Sequence, residues 1–202
     1  MNIHPVDKEN ISKAAEIIQN GGIAVYPTET VYGIGCNPRN KNASERICRI
    51  KGREGKPLPL ICGDMESAEK AAKFNQTARK LAAYFWPGPL MLILPTRGTY
   101  PHVVTQGSAT IGLRIPGNET ARRLAQQSGG CIVSTSANKS GKPPATTAVE
   151  VMDQLGSEVD IILDGGSSPE AGGSTVLDLT GEVPKILRVG PISEDEIKKV
   201  LD

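Results

Sequence analysis

Three hydroxyl-rich segments adjoin apolar stretches of this chain: Pro27-Thr28-Glu29-Thr30, Ser134-Thr135-Ser136-Ala137-Asn138 and Gly172-Gly173-Ser174-Thr175. One such segment makes a turn. Three of them, together with Lys51-Gly52-Arg53, describe a polar pocket for an anionic, hydroxyl-bearing ligand. In α/β sheets, ligands bind where strand ends bring backbone N–H groups and short side chains together at a topological switch point. Glycine lets a loop fold around a phosphate, Arg offers a planar fork and Lys a compact charge.

Each feature also has a plainer reading. Cations at a helix C-terminus complement the helix dipole, which would account for Lys51, Arg53 and Lys56 without a ligand. Thr28 and Thr30 are ordinary turn formers, and Ser134 to Asn138 could cap a helix. Glu29 matters only if it is buried beside a cation. Arg114 lies among Ile and Leu, where a long cation must either snorkel from an edge or line a polar cavity. Arg188, in Ile186-Leu187-Arg188-Val189, poses the same question, and two such arginines point to anion recognition. Tyr84, Phe85 and Trp86 read as core.

The elements that must carry these residues follow from periodicity and caps. Asp7 caps a helix with Ile11, Ala14, Ala15 and Ile18 on one face, ended by Gly21-Gly22 and followed by a strand from Ile23 to Tyr26. A second helix runs from an Asn42 cap to Lys51, with Glu45 as the capping-box acid and Gly52 as its stop. Leu58–Cys62, Leu90–Leu94, Thr110–Ile115, Cys131–Val133, Ile161–Leu163, Val176–Leu179 and Lys185–Val189 read as strands. Helices are expected from Asn75 to Trp86, from the Asn118 cap to Ser128, from the Thr147-x-x-Glu150 box to Gly156, and after Ser193-x-x-Glu196. The alternation indicates an α/β fold with a mixed parallel and antiparallel sheet flanked by helices, formed as a single domain over residues 1–202.

Composition narrows the function classes. With 23 Lys plus Arg against 22 Asp plus Glu, the chain carries a formal charge of +1, so it is not a globally basic nucleic-acid binder. The local exception is Arg39 to Lys56, where seven cations face Glu45 and Glu54. Cys36, Cys48, Cys62 and Cys131 form no C-x-x-C pair, which argues against a zinc site. No stretch is long and apolar enough to act as a membrane span or a signal core, and the expected location is the reducing cytoplasm. Gly33-x-Gly35 lacks the third glycine of a dinucleotide fingerprint, and no P-loop occurs.

Taken in order, Pro27-Thr28-Glu29-Thr30-Val31-Tyr32-Gly33-Ile34-Gly35, Lys51-Gly52-Arg53, Lys56-Pro57-Leu58, Trp86-Pro87-Gly88-Pro89-Leu90, Leu113-Arg114-Ile115-Pro116, Ser136-Ala137-Asn138 and Gly173-Ser174-Thr175-Val176 resemble the YrdC-like family. The family's best-known members are threonylcarbamoyl-AMP synthases. The resemblance implies a twisted mixed sheet around a large concave basic cavity, and an enzyme joining L-threonine, bicarbonate or CO2, and ATP with release of pyrophosphate. It implies that Thr28, Arg114, Ser134 and Ser174 hold threonine. Lys51, Arg53, Lys56, Thr110, Ser136, Asn138 and Arg188 would surround the nucleotide, with Lys51 and Arg53 neutralising its triphosphate during catalysis. Magnesium would arrive on ATP, with no metal site built by the protein. Partner proteins would then pass the threonylcarbamoyl group to a tRNA adenosine.

Two positions depart from the family pattern. Pro59-Leu60-Ile61-Cys62 lacks the threonine-contacting histidine of typical synthases, and Pro144 stands where a nucleotide-contacting serine is usual. Leu60-Ile61-Cys62-Gly63-Asp64 is similar to the YciO branch, whereas Ser136-Ala137-Asn138 is similar to the synthases. The chain resembles the short form without an additional C-terminal domain. An RNA- or tRNA-binding module, double-stranded RNA included, and a nucleotide sensor without turnover remain the alternatives.

Overall fold

The computed structural model describes residues 2–53, 55–169 and 173–201. Gly172 and Glu54, named above, lie outside that set. The strands are β1 (Ile3–Pro5), β2 (Ala24–Tyr26), β3 (Gly33–Gly35), β4 (Leu60–Cys62), β5 (Leu90–Pro95), β6 (Thr110–Arg114), β7 (Cys131–Val133), β8 (Thr135–Ser136), β9 (Ile161–Asp164), β10 (Thr175–Asp178) and β11 (Lys185–Arg188). The helices are α1 (Lys8–Gln19), α2 (Lys41–Lys51), α3 (Met65–Ala71), α4 (Gln76–Phe85), α5 (His102–Thr105), α6 (Glu119–Gln127), α7 (Ala148–Leu155) and α8 (Glu194–Leu201).

The fold is mixed α/β, and its strands divide between two sheets, ordered β1-β9-β2-β3-β8 and β11-β10-β5-β6-β4-β7. Both are mixed: β9 pairs parallel with β1 and β2 while β3 runs antiparallel to β2 and β8. In the larger sheet β5 is parallel to β10 and antiparallel to β6, and β11 is an antiparallel edge. Helices α1 and α6 bridge the sheets, because Ile11, Ala14, Ala15 and Ile18 pack in one cluster with Ala121, Leu124, Ala125, Ile61, Ile132 and Ile161. Their small residues allow close approach of the two helices. The remaining core is continuous beneath the larger sheet and takes in α2, α3, α4 and α7.

Local chemistry explains most element ends. Asp7 accepts a hydrogen bond from Asn10 N, Asn75 from Ala78 N and Asn118 from Ala121 N, each satisfying a helix N–H that lacks an intrahelical partner. Ser193 and Glu196 form the expected capping box.

Three expectations need correction. The cap of α2 is Asn40, not Asn42: a turn in which Asn40 N donates to Asn37 O starts the helix two residues earlier, and Asn40 Oδ1 accepts from Ala43 N. Glu45 therefore lies past the first turn, where it pairs with Lys41 at 3.8 Å. Helix α3 was invisible in the sequence because its seven residues, with only alanines buried, offer too short a pattern. Tyr84 is exposed on α4, whereas Phe85 and Trp86 pack against the core.

Candidate functional site

The period of two in the strands builds the floor of a cavity of about 480 Å³. On β5, Leu90, Leu92 and Leu94 enter the core while Met91 and Ile93 face the cavity. On β6, Ile111 and Leu113 enter the core while Thr110, Gly112 and Arg114 face the cavity. Alternation thus settles the question of Arg114: the strand is apolar on one face only. Val176 on β10 and Arg188 at the end of β11 extend this floor, and Pro59 and Ile61 close it on the β4 side. The opposite wall comes from the smaller sheet and its loops, through Thr28, Thr30 to Gly33, and Ser134 to Ser136.

Arg114 is 5% exposed and its guanidinium pairs with Glu29, with a longer bond from Nη1 to Gly88 O at 3.3 Å. Glu29 Oε2 also accepts from Asn118 N, tying the pair to the start of α6. The Thr28 hydroxyl donates to Val31 O at 2.6 Å and accepts from Thr30 N at 3.2 Å. It shapes the loop as well as lining the cavity. Arg188 donates through Nε and Nη2 to Ser174 O at 2.9 and 2.7 Å. A Cβ on Gly173 would lie 2.7 Å from that guanidinium, so a larger residue there would displace Arg188 from its present position. Beyond β11 the chain is pinned by the buried Thr175 hydroxyl, which accepts from Gly190 N and Ile192 N and donates to Ile192 O.

On the other side, Gly52 adopts φ 59° and ends α2, with Gly52 N bonded to Arg49 O and Arg53 N to Cys48 O. This turn sends Arg53 into the cavity wall, where Nη1 donates to Thr135 Oγ1 at 3.1 Å and Nη2 to Pro57 O at 2.8 Å. Its Nε is buried without a partner. Lys51 turns inward instead. At 3% exposure, its ammonium donates to Ser136 O and, at 2.7 Å, to Asn138 O. Asn138 in turn donates to Lys139 O and Lys142 O.

The cations crowd one another. Burial, then the Arg53 charge, pushes the Lys51 ammonium down to about 8. Burial, then Arg114, lowers Arg188, and burial lowers Arg53. An anion entering the cavity would relieve this repulsion. Tyr26 is fully buried beneath the site, its ring against Gly33 and Gly35, and burial raises its hydroxyl well above the usual range.

Of the residues singled out in the sequence, Thr28, Arg53, Thr110, Arg114, Ser134, Ser136, Ser174 and Arg188 line this one cavity. Lys51 and Asn138 lie behind the wall and hold the Ser136–Asn138 segment, and Lys56 is exposed. The rest of the Arg39–Lys56 cluster disperses: Arg39 stacks over Tyr100, Lys41 pairs with Glu45, and Arg46 forks onto Asp160. Sequence reasoning missed Met91, Ile93, Gly112 and Val176, although strand alternation at β5 and β6 carried the signal. Ile61 occupies the wall and Cys62 points away from it, so the β4 side of the cavity is apolar; Pro144 also lines the cavity.

Among the described residues no group of His, Cys, Asp or Glu could hold a metal ion, and no helix is long and apolar enough to cross a membrane.

Comparison with known proteins follows the same outline. The Sua5, YciO and YrdC family model, described as "Telomere recombination", matches residues 16–190. A protein of Pyrococcus abyssi named threonylcarbamoyl-AMP synthase is 40% identical over 97% of this chain and 58% of its own length. A Nitrosococcus oceani protein of the same name is 38% identical over 82% of this chain and 90% of its own. The chain thus spans less than two thirds of the Pyrococcus relative. Among solved structures, P. abyssi Sua5 complexed with L-threonine superposes with a TM-score of 0.92 at 39% identity, covering 98% of this chain and 59% of that one. E. coli YciO superposes with a TM-score of 0.86 at 32% identity, covering 96% and 97%. With a family match over most of its length and a shared fold, the chain belongs to the Sua5/YciO/YrdC family.

Proposed function

We propose that this protein is a threonylcarbamoyl-AMP synthase, forming the adenylate from L-threonine, bicarbonate or CO2, and MgATP with release of pyrophosphate. The observation that carries the reading is the convergence of Arg53, Arg114 and Arg188 with the Ser134, Ser136 and Ser174 positions on a single cavity. Its volume of about 480 Å³ is in the usual range for small-molecule sites. The name of the Pyrococcus relative and the threonine in its solved structure support the same chemistry.

In this reading Arg114, braced by Glu29, takes the amino-acid carboxylate, and Thr28, Ser134 and Ser174 complete its polar shell. Arg53, Thr110, Ser136 and Arg188 face the nucleotide. Lys51 and Asn138 set the Ser136 segment from behind and add positive potential, and Lys56 meets the phosphates from the solvent side. A carbamate oxygen of N-carboxythreonine attacks the α-phosphorus and pyrophosphate leaves. Catalysis then consists of positioning the two reactants and stabilising the developing charge. Magnesium enters on the nucleotide as part of the substrate, and transfer of the product to a tRNA adenosine belongs to partner proteins.

The test is pyrophosphate release from MgATP and bicarbonate, with and without L-threonine, with the adenylate identified by mass. Threonine-dependent release is the expected result. Release independent of threonine would remove the amino-acid assignment, and ATP binding without turnover would instead favour a nucleotide sensor.

A further inference from the structure

The pairing of β4 with β7 puts Cys62 directly opposite Cys131. Gly63 N donates to Gly130 O at 2.9 Å, one step beyond this pair, so the cysteines occupy a non-hydrogen-bonded site of the antiparallel ladder. At such sites opposing Cα atoms lie about 4.5 Å apart with both side chains on one face. That separation falls at the short end of the range of about 4.4 to 6.8 Å spanned by disulfides. Both thiols are free. Burial and the neighbouring Cys131 thiol raise Cys62. Cys62 is 0% exposed, whereas Cys131 is partly open and lines a second cavity, of about 470 Å³, with Arg39, Lys70 and Tyr100 in its wall. The Cys131 thiol, a weak donor, reaches Ser67 O at 3.5 Å. β7 is the edge strand of the larger sheet, and on its outer side Val133 N donates to Cys36 O at 2.9 Å.

We propose that Cys62 and Cys131 form a reversible dithiol/disulfide site, entered through the second cavity by a small-molecule disulfide. The Cys131 thiolate attacks one sulfur of the reagent, breaking its S–S bond and releasing one small thiol. Cys62, as thiolate, then attacks Cys131 Sγ and expels the second. Two protein thiols are oxidised, one small disulfide is reduced to two thiols, and the two protons pass to the released thiols. The product ties β7, which leads into Ser134, to β4, which carries Ile61.

The experiment incubates the native protein with oxidised glutathione, quenches with an alkylating reagent, and maps peptides by mass with and without reductant. Half of the four thiols should disappear, with a single cross-link between the Cys62 and Cys131 peptides that reductant reverses. Cys62→Ala should instead trap glutathione on Cys131, and Cys131→Ser should leave Cys62 reduced. Retention of all four thiols, a cross-link through Cys36 or Cys48, or a lasting mixed disulfide on Cys131 in the unsubstituted protein would each overturn the proposal.

Discussion

Arg114 and Glu29 form an ion pair in the cavity wall, the arginine side chain 6% exposed and the glutamate 22%. The carboxylate holds the guanidinium at the strand end and leaves it facing the cavity. Removing either partner leaves a charge in a desolvated place, which typically costs about 3 to 5 kcal/mol for a buried pair.

Arg114→Lys should weaken L-threonine binding roughly ten- to hundredfold, since a point charge cannot reproduce the fork and a charge-assisted hydrogen bond is worth about 1.5 to 3 kcal/mol. ATP affinity should change far less. Calorimetry with each ligand separately checks this. Equal losses for both would mean that the end of β6 has collapsed.

Lys51 makes stability depend on pH. Its folded value of about 8 lies below the usual lysine range, so between pH 8 and 10 the unfolded chain binds more protons than the folded one. Stability from this group therefore rises with pH through that window, by about 2 kcal/mol. Urea unfolding of the native protein and of Lys51→Met at both pH values isolates the effect. A parallel response of the two proteins would show that Lys51 is not the group responsible.

Gly112 keeps the floor of the cavity open. A Cβ there would meet Met91 Sδ at 3.3 Å and Pro59 Cβ at 3.6 Å, contacts that a small shift of the methionine relieves. Gly112→Val should therefore leave the unfolding temperature within a few degrees while abolishing binding of threonine or ATP. A valine also suits a strand. Retained affinity would move the ligand away from the sheet face.

Ile61, in the Pro59–Cys62 strand where the family resemblance leads one to expect a histidine, makes that part of the wall apolar. Threonine and serine should then be distinguished by one methyl group, worth about 1 to 3 kcal/mol or roughly ten- to two-hundredfold. Competition between the two amino acids in the pyrophosphate assay measures the ratio. Discrimination far beyond that range would assign recognition of the substrate to a hydrogen-bonding residue such as Ser134 or Ser174.

The sequence by itself determined the local parts of this protein, because caps, glycine stops and strand alternation act over a few residues. Asp7, Asn75, Asn118 and Ser193 start their helices as read, and Gly52 ends α2 in the left-handed conformation expected of it. The loops of the site were legible for the same reason. Only the tertiary structure decided which of their residues face a ligand. Lys51 and Arg53 are two positions apart, yet the turn at Gly52 sends one behind the wall and the other into it. The partner of Arg114 lies 85 residues away, and that of Cys62 comes from β7. Such pairings depend on how two sheets close over a shared core, and the energy that selects them comes from nonlocal burial, which no short window of sequence contains.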